Sequence, residues 1–153
     1  MIFLEKVCNR FNERKIPYAL VGGFAVALHG APRGTIDLDF IVDHDLEVFI
    51  NVEEALKSLG MCCRIPVTAE EVFTFRKEYI EKRNLIAWSF YNPKNLSEVV
   101  DIIITENLRD STFIEKRLSN ARIIVLSKSD LIKMKKKSNR LQDQSDIEAL
   151  KRL

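Results

Sequence analysis

Apolar positions recur along this chain with two different periods. Phe3, Leu4, Val7 and Phe11 fall on one face at helical spacing, which predicts an amphipathic helix over 2–14. Pro17 ends it and leads into an apolar run, 18–21, that reads as a strand. A Gly22-Gly23 turn, a short helix over 24–29, a Gly30/Pro32 turn and a second strand over 36–42 follow. Gly30 suits the left-handed residue that closes a helix. The second strand is unusual, because Asp37 and Asp39 alternate with Ile36, Leu38 and Phe40.

Asp43-His44-Asp45 opens a predicted helix to about 58, apolar at Leu46, Phe49, Ile50, Val52 and Leu56 and closed by Gly60. Strands are predicted over 61–65, 85–90, 99–104 and 121–126, with a turn over 92–95. The stretch 68–77 is ambiguous, and 111–118 reads as a short helix. Ser127 and Asp130 fit a reciprocal cap for a helix to about 138, and a last helix spans about 142–153. Mixed strands first and paired helices last imply an α/β (α+β) fold, a mixed sheet flanked by helices with a C-terminal helical pair. The 153 residues amount to one domain: an N-terminal helix over 1–15, a catalytic core over 16–126 and C-terminal helices over 127–153.

Composition narrows the class. Hydrophobic residues at 46% and charged residues at 30% argue against wholesale disorder. No apolar run approaches the ~20 residues of a membrane span, and the N-terminus lacks the pattern of a signal peptide. Three cysteines, Cys8, Cys62 and Cys63, are an odd number without metal-ligand spacing, which fits a reducing compartment and a cytoplasmic protein. A net charge of +2 neither demands nor excludes RNA.

The chemistry gathers around 18–42. Residues two apart in a strand point the same way, roughly 6.6–6.8 Å apart, so Asp37 and Asp39 would present two like charges to one side. Asp is disfavoured in strands, and such a pair repels unless a cation sits between them. A divalent metal is therefore the reading for Asp37 and Asp39. The Gly22-Gly23 turn allows close approach of a ligand, and a helix starting after it directs free N–H groups at an anion. Asp101 stands alone in the apolar run 99–104, where an unpaired buried charge costs several kcal/mol; it is the expected third carboxylate, with an exposed edge-strand residue as the alternative and Glu98 as a weaker competitor. Arg33 and Thr35 precede the acidic strand, and Arg33 suits bidentate phosphate contact. At about 100° per residue, Lys133, Lys136 and Lys137 form a solvated stripe, whereas Lys135 falls with Leu131 and Met134. A lysine there needs an anionic partner, either a triphosphate or a carboxylate inside the fold. His29 reads as a helix-end residue.

Gly22, Gly23, Ala25, Gly30, Arg33, Thr35, Asp37, Asp39 and Phe40 match the signature GG-x-A-x-x-x-x-G-x-x-R-x-T-x-D-h-D-F. In this the chain resembles the DNA polymerase β-like nucleotidyltransferase superfamily, and within it the small bacterial enzymes that include AbiEii-type toxins. The match spans roughly a sixth of the chain. Farther on, Lys135, Arg140, Asp143 and Asp146 match the family's Lys followed by R-x-x-D-x-x-D, although Leu141 stands where family members often carry proline; Asp143 and Asp146 also suit a purely structural pairing with Arg140. The resemblance implies transfer of a nucleotide from an NTP to a hydroxyl. Asp37, Asp39 and Asp101 would hold Mg²⁺ or Mn²⁺ ions about 3.5–4 Å apart, Asp101 activating the acceptor. Gly22, Gly23, Arg33, Thr35 and Lys135 would bind the nucleotide. Toxin-like relatives imply an RNA acceptor, such as a tRNA end, or a protein, with an antitoxin or a second copy as partner. A small-molecule, antibiotic-type acceptor is the alternative within the enzyme class. A nucleotide-binding regulatory protein without turnover is the alternative outside it.

Overall fold

The computed structural model describes residues 2–31 and 34–153. Its strands are β1 (Tyr18–Val21), β2 (Leu38–Val42), β3 (Cys62–Cys63), β4 (Ala87–Asn92), β5 (Asn95–Ile103), β6 (Phe113–Leu118) and β7 (Ala121–Leu126). Among the described residues they form one seven-stranded sheet in the order β3-β4-β5-β2-β1-β7-β6. The β2–β5 and β1–β7 pairs are parallel and the other four antiparallel, so the sheet is mixed as expected. The helices are α1 (Phe3–Glu13), α2 (Gly22–Leu28), α3 (Leu46–Ser58), α4 (Ala69–Thr74), α5 (Arg76–Arg83), α6 (Lys128–Ser138) and α7 (Leu141–Lys151).

Strand alternation sends one set of side chains to an aromatic-rich face of the sheet, the dry face, and the other, Asp39 and Asp101 among them, to the opposite face. Tyr18, Phe40, Trp88 and Phe90 stand on the dry face. Phe11 of α1 packs on Tyr18 and Phe40 at 5.4 and 5.2 Å between ring centroids. Phe49 of α3 stacks on Trp88 at 5.6 Å and meets Phe73 of α4 at the same distance. Phe11, Phe40, Phe49, Trp88 and Phe90 are fully buried, each stabilising the fold by about 1.5–3 kcal/mol relative to exposure. This layer fixes β2 and β5 side by side, with Leu38, Asp39 and Phe40 opposite Val100, Asp101 and Ile102. The carboxylates on the other face take their positions from it.

Several expectations need correction. The acidic strand begins at Leu38, not residue 36, so Asp37 precedes β2 and is exposed. Ile36 is 65% exposed, and the chain there is still turning into the sheet. The stretch 111–118 is no helix: after a 3-10 turn at Leu108–Asp110 it forms the edge strand β6, paired antiparallel with β7. The predicted strand over 61–65 reduces to Cys62–Cys63, and the ambiguous 68–77 region becomes α4 and the start of α5. Ser127 caps α6 by accepting from the Asp130 N–H at 3.2 Å, but the Asp130 carboxylate turns to the Thr112 N–H and hydroxyl instead of completing the reciprocal cap. Gly30 and Gly60 take positive φ of 113° and 83° just after α2 and α3, as their positions suggested. No described helix is long and apolar enough to cross a membrane.

Candidate active site

Four neighbouring strands bring the site together. In the β1–β2 ladder Val21 stands opposite Asp39; in β2–β5 Asp39 stands opposite Asp101; in β5–β4 Asp101 stands opposite Ser89. Asp39, Asp101 and Ser89 thus form a row across one face of the sheet. Ser89 Oγ donates to Asp101 Oδ1 at 2.5 Å, which fixes that carboxylate's rotamer. Asp101 in turn shares a side-chain hydrogen bond with Asp39. Burial, then the charges of Asp101 and Asp37, then this hydrogen bond push the Asp39 carboxyl up to about 7, against the opposing field of Lys135.

Gly22 closes the other side. Its φ is +70°, a region that disfavours a side chain, and a Cβ built there would lie 2.1 Å from Asp39 Oδ2. The absent side chain is the space into which the Asp39 carboxylate fits. Gly22 and Gly23 open α2 directly from β1, with Val21 as the extended residue before them. The helix is only seven residues long, so its dipole is weak and the local backbone N–H groups matter more. His29 ends this segment with its Nε2 2.8 Å from the Leu126 carbonyl oxygen, a bond that ties α2 to β7.

The α6–α7 pair supplies two cations. Lys135 Nζ lies 2.8 Å from Asp146 Oδ2 and 3.5 Å from Asp143 Oδ1, with its side chain 7% exposed. Of the two partners open to Lys135 in the sequence, the fold provides the internal carboxylates. Arg140 binds Asp143 from the rim: its backbone N and Nε donate to Oδ2 at 3.1 and 2.9 Å, and Nη2 to Oδ1 at 3.3 Å. Burial works to raise the Asp143 carboxyl, but the Arg140 hydrogen bonds and the charges of Arg140 and Lys135 outweigh it and bring it down to about 2. Gln142 Nε2 donates to Asp146 Oδ1 at 3.1 Å. Both Lys135 and Arg140 interact with the charge of Asp39.

Arg33 lies outside the described residues. Thr35 is half-buried and lines a hollow of about 270 Å³ with Ile2, Phe24, Ile36, Leu38 and Glu98, which does not include the carboxylates. A larger cavity of about 420 Å³ lies between α6 and the β5–β6 connection, lined by His44, Arg76, Glu106 and Lys137 among others. Asp37, Asp39 and Asp101 do not line it either. Ser89 escaped the sequence reading, although a hydroxyl between Trp88 and Phe90 in an apolar strand was a signal for it.

Among the described residues, no three His, Cys, Asp or Glu side chains converge as a ready metal-ligand set. The Asp39–Asp101 pair nonetheless fits a divalent cation. It is a pair of hard oxygen donors on adjacent strands, and burial and neighbouring negative charge both work against an ionised Asp39, a cost that a cation would relieve. Asp37, exposed at the mouth, is the remaining carboxylate within its field.

No protein-family model matches the chain, and no curated protein matches it in sequence. Its fold is that of known nucleotidyltransferases. The lincosamide antibiotic adenylyltransferase LnuA, in a lincomycin-bound structure, superposes with a TM-score of 0.66 at 16% identity, over 97% of this chain and 94% of that one. ANT(2")-Ia, solved in complex with adenylyl-2"-tobramycin, gives a TM-score of 0.64 at 11% identity, over 96% of this chain and 84% of that one. An antigenic nucleotidyltransferase-like protein from Paracoccidioides brasiliensis gives 0.60 at 16% identity, over 96% and 73%.

Proposed function

We propose that this protein transfers a nucleoside monophosphate from an NTP to a hydroxyl of a small, antibiotic-type molecule. The observation that carries the reading is the Asp39–Asp101 pair on adjacent parallel strands, set against the side-chain-free Gly22 turn. The fold supports it, since structures sharing it act on lincomycin and tobramycin. The superposition with LnuA covers 97% of this chain and 94% of that one.

In this reading Asp39 and Asp101 hold the divalent cation, with Asp37 at the entrance. When bound, the cation neutralises triphosphate charge and acidifies the acceptor hydroxyl. The backbone of Gly22 and Gly23 cradles the phosphates, and the signature assigns Arg33 and Thr35 to nucleotide binding. Ser89 holds Asp101 at a fixed angle, so Asp101 can take the proton of the acceptor hydroxyl as that oxygen bonds to the α-phosphorus. The bond from the α-phosphorus to the bridging oxygen breaks, and pyrophosphate leaves. Lys135, occupied by Asp143 and Asp146, acts through its field on Asp39. Such a site works by positioning and charge stabilisation.

A second reading rests on the signature running from Gly22 to Phe40: an AbiEii-like enzyme that modifies RNA or protein and is held in check by an antitoxin. One experiment separates the two. Wild type and Asp39→Asn are incubated with each α-labelled NTP, Mg²⁺ or Mn²⁺, and either a lincosamide and aminoglycoside panel or total RNA and protein. Label on a small molecule, from wild type only, is the expected result. Label on RNA or protein supports the second reading, and no transfer under any condition refutes both.

A further inference from the structure

The C-terminal helices carry two cations that interact with the charge of Asp39, and the structure treats them in opposite ways. Lys135 is sealed in, 7% exposed at its side chain, with its ammonium on two buried carboxylates. Arg140 has a side chain 74% exposed, while its partner Asp143 is 1% exposed. The buried cluster therefore shows its positive end to solvent. Arg140 is also held still, because Nε and Nη2 grip both oxygens of Asp143 and its backbone N–H binds the same carboxylate. A guanidinium has five N–H donors; two are used here, and the outer edge retains the fork that matches phosphate oxygens. A side chain already immobilised in this way loses little further freedom on binding.

Resting on the nucleotidyltransferase reading above, we propose that Arg140 is the protein's contact to the β- and γ-phosphates of the incoming NTP. Lys135, Asp143 and Asp146 are then its mount: the lysine neutralises the buried acids and the acids aim the guanidinium. The assignment makes a selective statement, because a residue that grips the terminal phosphates distinguishes tri- from monophosphate and ignores the base.

The test is equilibrium binding with the full chain and Mg²⁺. ATP, GTP, CTP and UTP are titrated first, then the diphosphate and monophosphate of whichever binds tightest, against wild type, Arg140→Gln and Arg140→Lys. The melting temperature of each variant is measured alongside. Arg140→Gln should weaken triphosphate binding by about 10- to 100-fold, the range of a charge-assisted contact, while the monophosphate changes less than about twofold. Arg140→Lys, which keeps the charge and a bond to Asp143, should recover part of the loss. Equal weakening of tri- and monophosphate, or no weakening, overturns the proposal. If Arg140→Gln does not fold, Arg140→Lys decides: it should lose triphosphate affinity selectively, and wild-type affinity in that variant overturns the assignment. Wild type binding no nucleotide would bring down the transferase reading and this inference together. Normal binding by both variants would bring down the inference alone.

Discussion

Replacing Asp39 with asparagine should make the metal-free protein more stable while destroying its activity. The folded state raises this carboxyl from 3.8 to about 7. A carboxyl raised on folding costs stability as pH climbs, the penalty growing from the unfolded value and levelling off above the folded one. At pH 8 the full shift corresponds to roughly 4 kcal/mol. Solvent reaching this partly exposed group screens it, leaving about 2 kcal/mol for asparagine to recover. For a chain of this size that is a gain of about 4–8 °C in melting temperature. At pH 5 Asp39 is protonated in the folded protein, and the gain should shrink to less than half. The assay is thermal unfolding of both proteins in EDTA at pH 5 and pH 8, repeated with Mg²⁺. The cation should reverse the order at pH 8 by stabilising wild type alone. A variant no more stable than wild type at pH 8, or equally favoured at both pH values, would refute the claim that burial and neighbouring negative charge work against an ionised Asp39.

Three further outcomes follow from the same geometry. Gly22→Ala should abolish nucleotide transfer and lower stability by at least the ~1–2 kcal/mol of a left-handed residue, read by chemical denaturation; transfer at wild-type rate would show that the tight contact with Asp39 is unimportant. Lys135→Met leaves Asp143 and Asp146 buried without their ammonium and should cost about 3–5 kcal/mol, measured by urea unfolding. Ser89→Ala should lower kcat about tenfold, as loss of a hydrogen bond to a charged group does, with KM for the NTP unchanged and Ser89→Thr restoring turnover. A rise in KM alone would remove Ser89 from the positioning of Asp101.

The central part of the fold was legible because its signals are local. Asp39 between apolar residues, a diglycine where a strand gives way to a helix, and one aspartate in an apolar run all survive as features of β1, α2, β2 and β5. The β6 strand was not legible, because its reason for being extended is distant. Phe113–Leu118 carries Glu115, Lys116 and Arg117 in succession, a composition with no strand signal of its own. It is extended because β7 offers an open edge, and a charged edge strand also discourages further pairing. Asp37 slipped out of β2 because the ladder with β1 ends at the Val21–Asp39 pair, where β1 gives way to α2. The buried partner of Lys135 was undecidable from periodicity, which locates a face but not what lies against it. Arg140 was readable as a partner for Asp143 and Asp146, but its exposure beside a buried acid depends on how α7 docks on α6.

The contact between Gly22 and Asp39 also constrains how this sequence can drift. The two positions lie on different elements, yet they compete for one volume smaller than a methyl group. A chain that keeps aspartate at 39 is confined to glycine at 22, and any other residue at 22 becomes tolerable only after the acid has shortened or gone. Neutral wandering is therefore closed at 22 while the carboxylate is under selection and is eased once it is lost, although the φ of +70° still favours glycine there. In a descendant that had given up catalysis, a side chain at position 22 would be an early mark of that history.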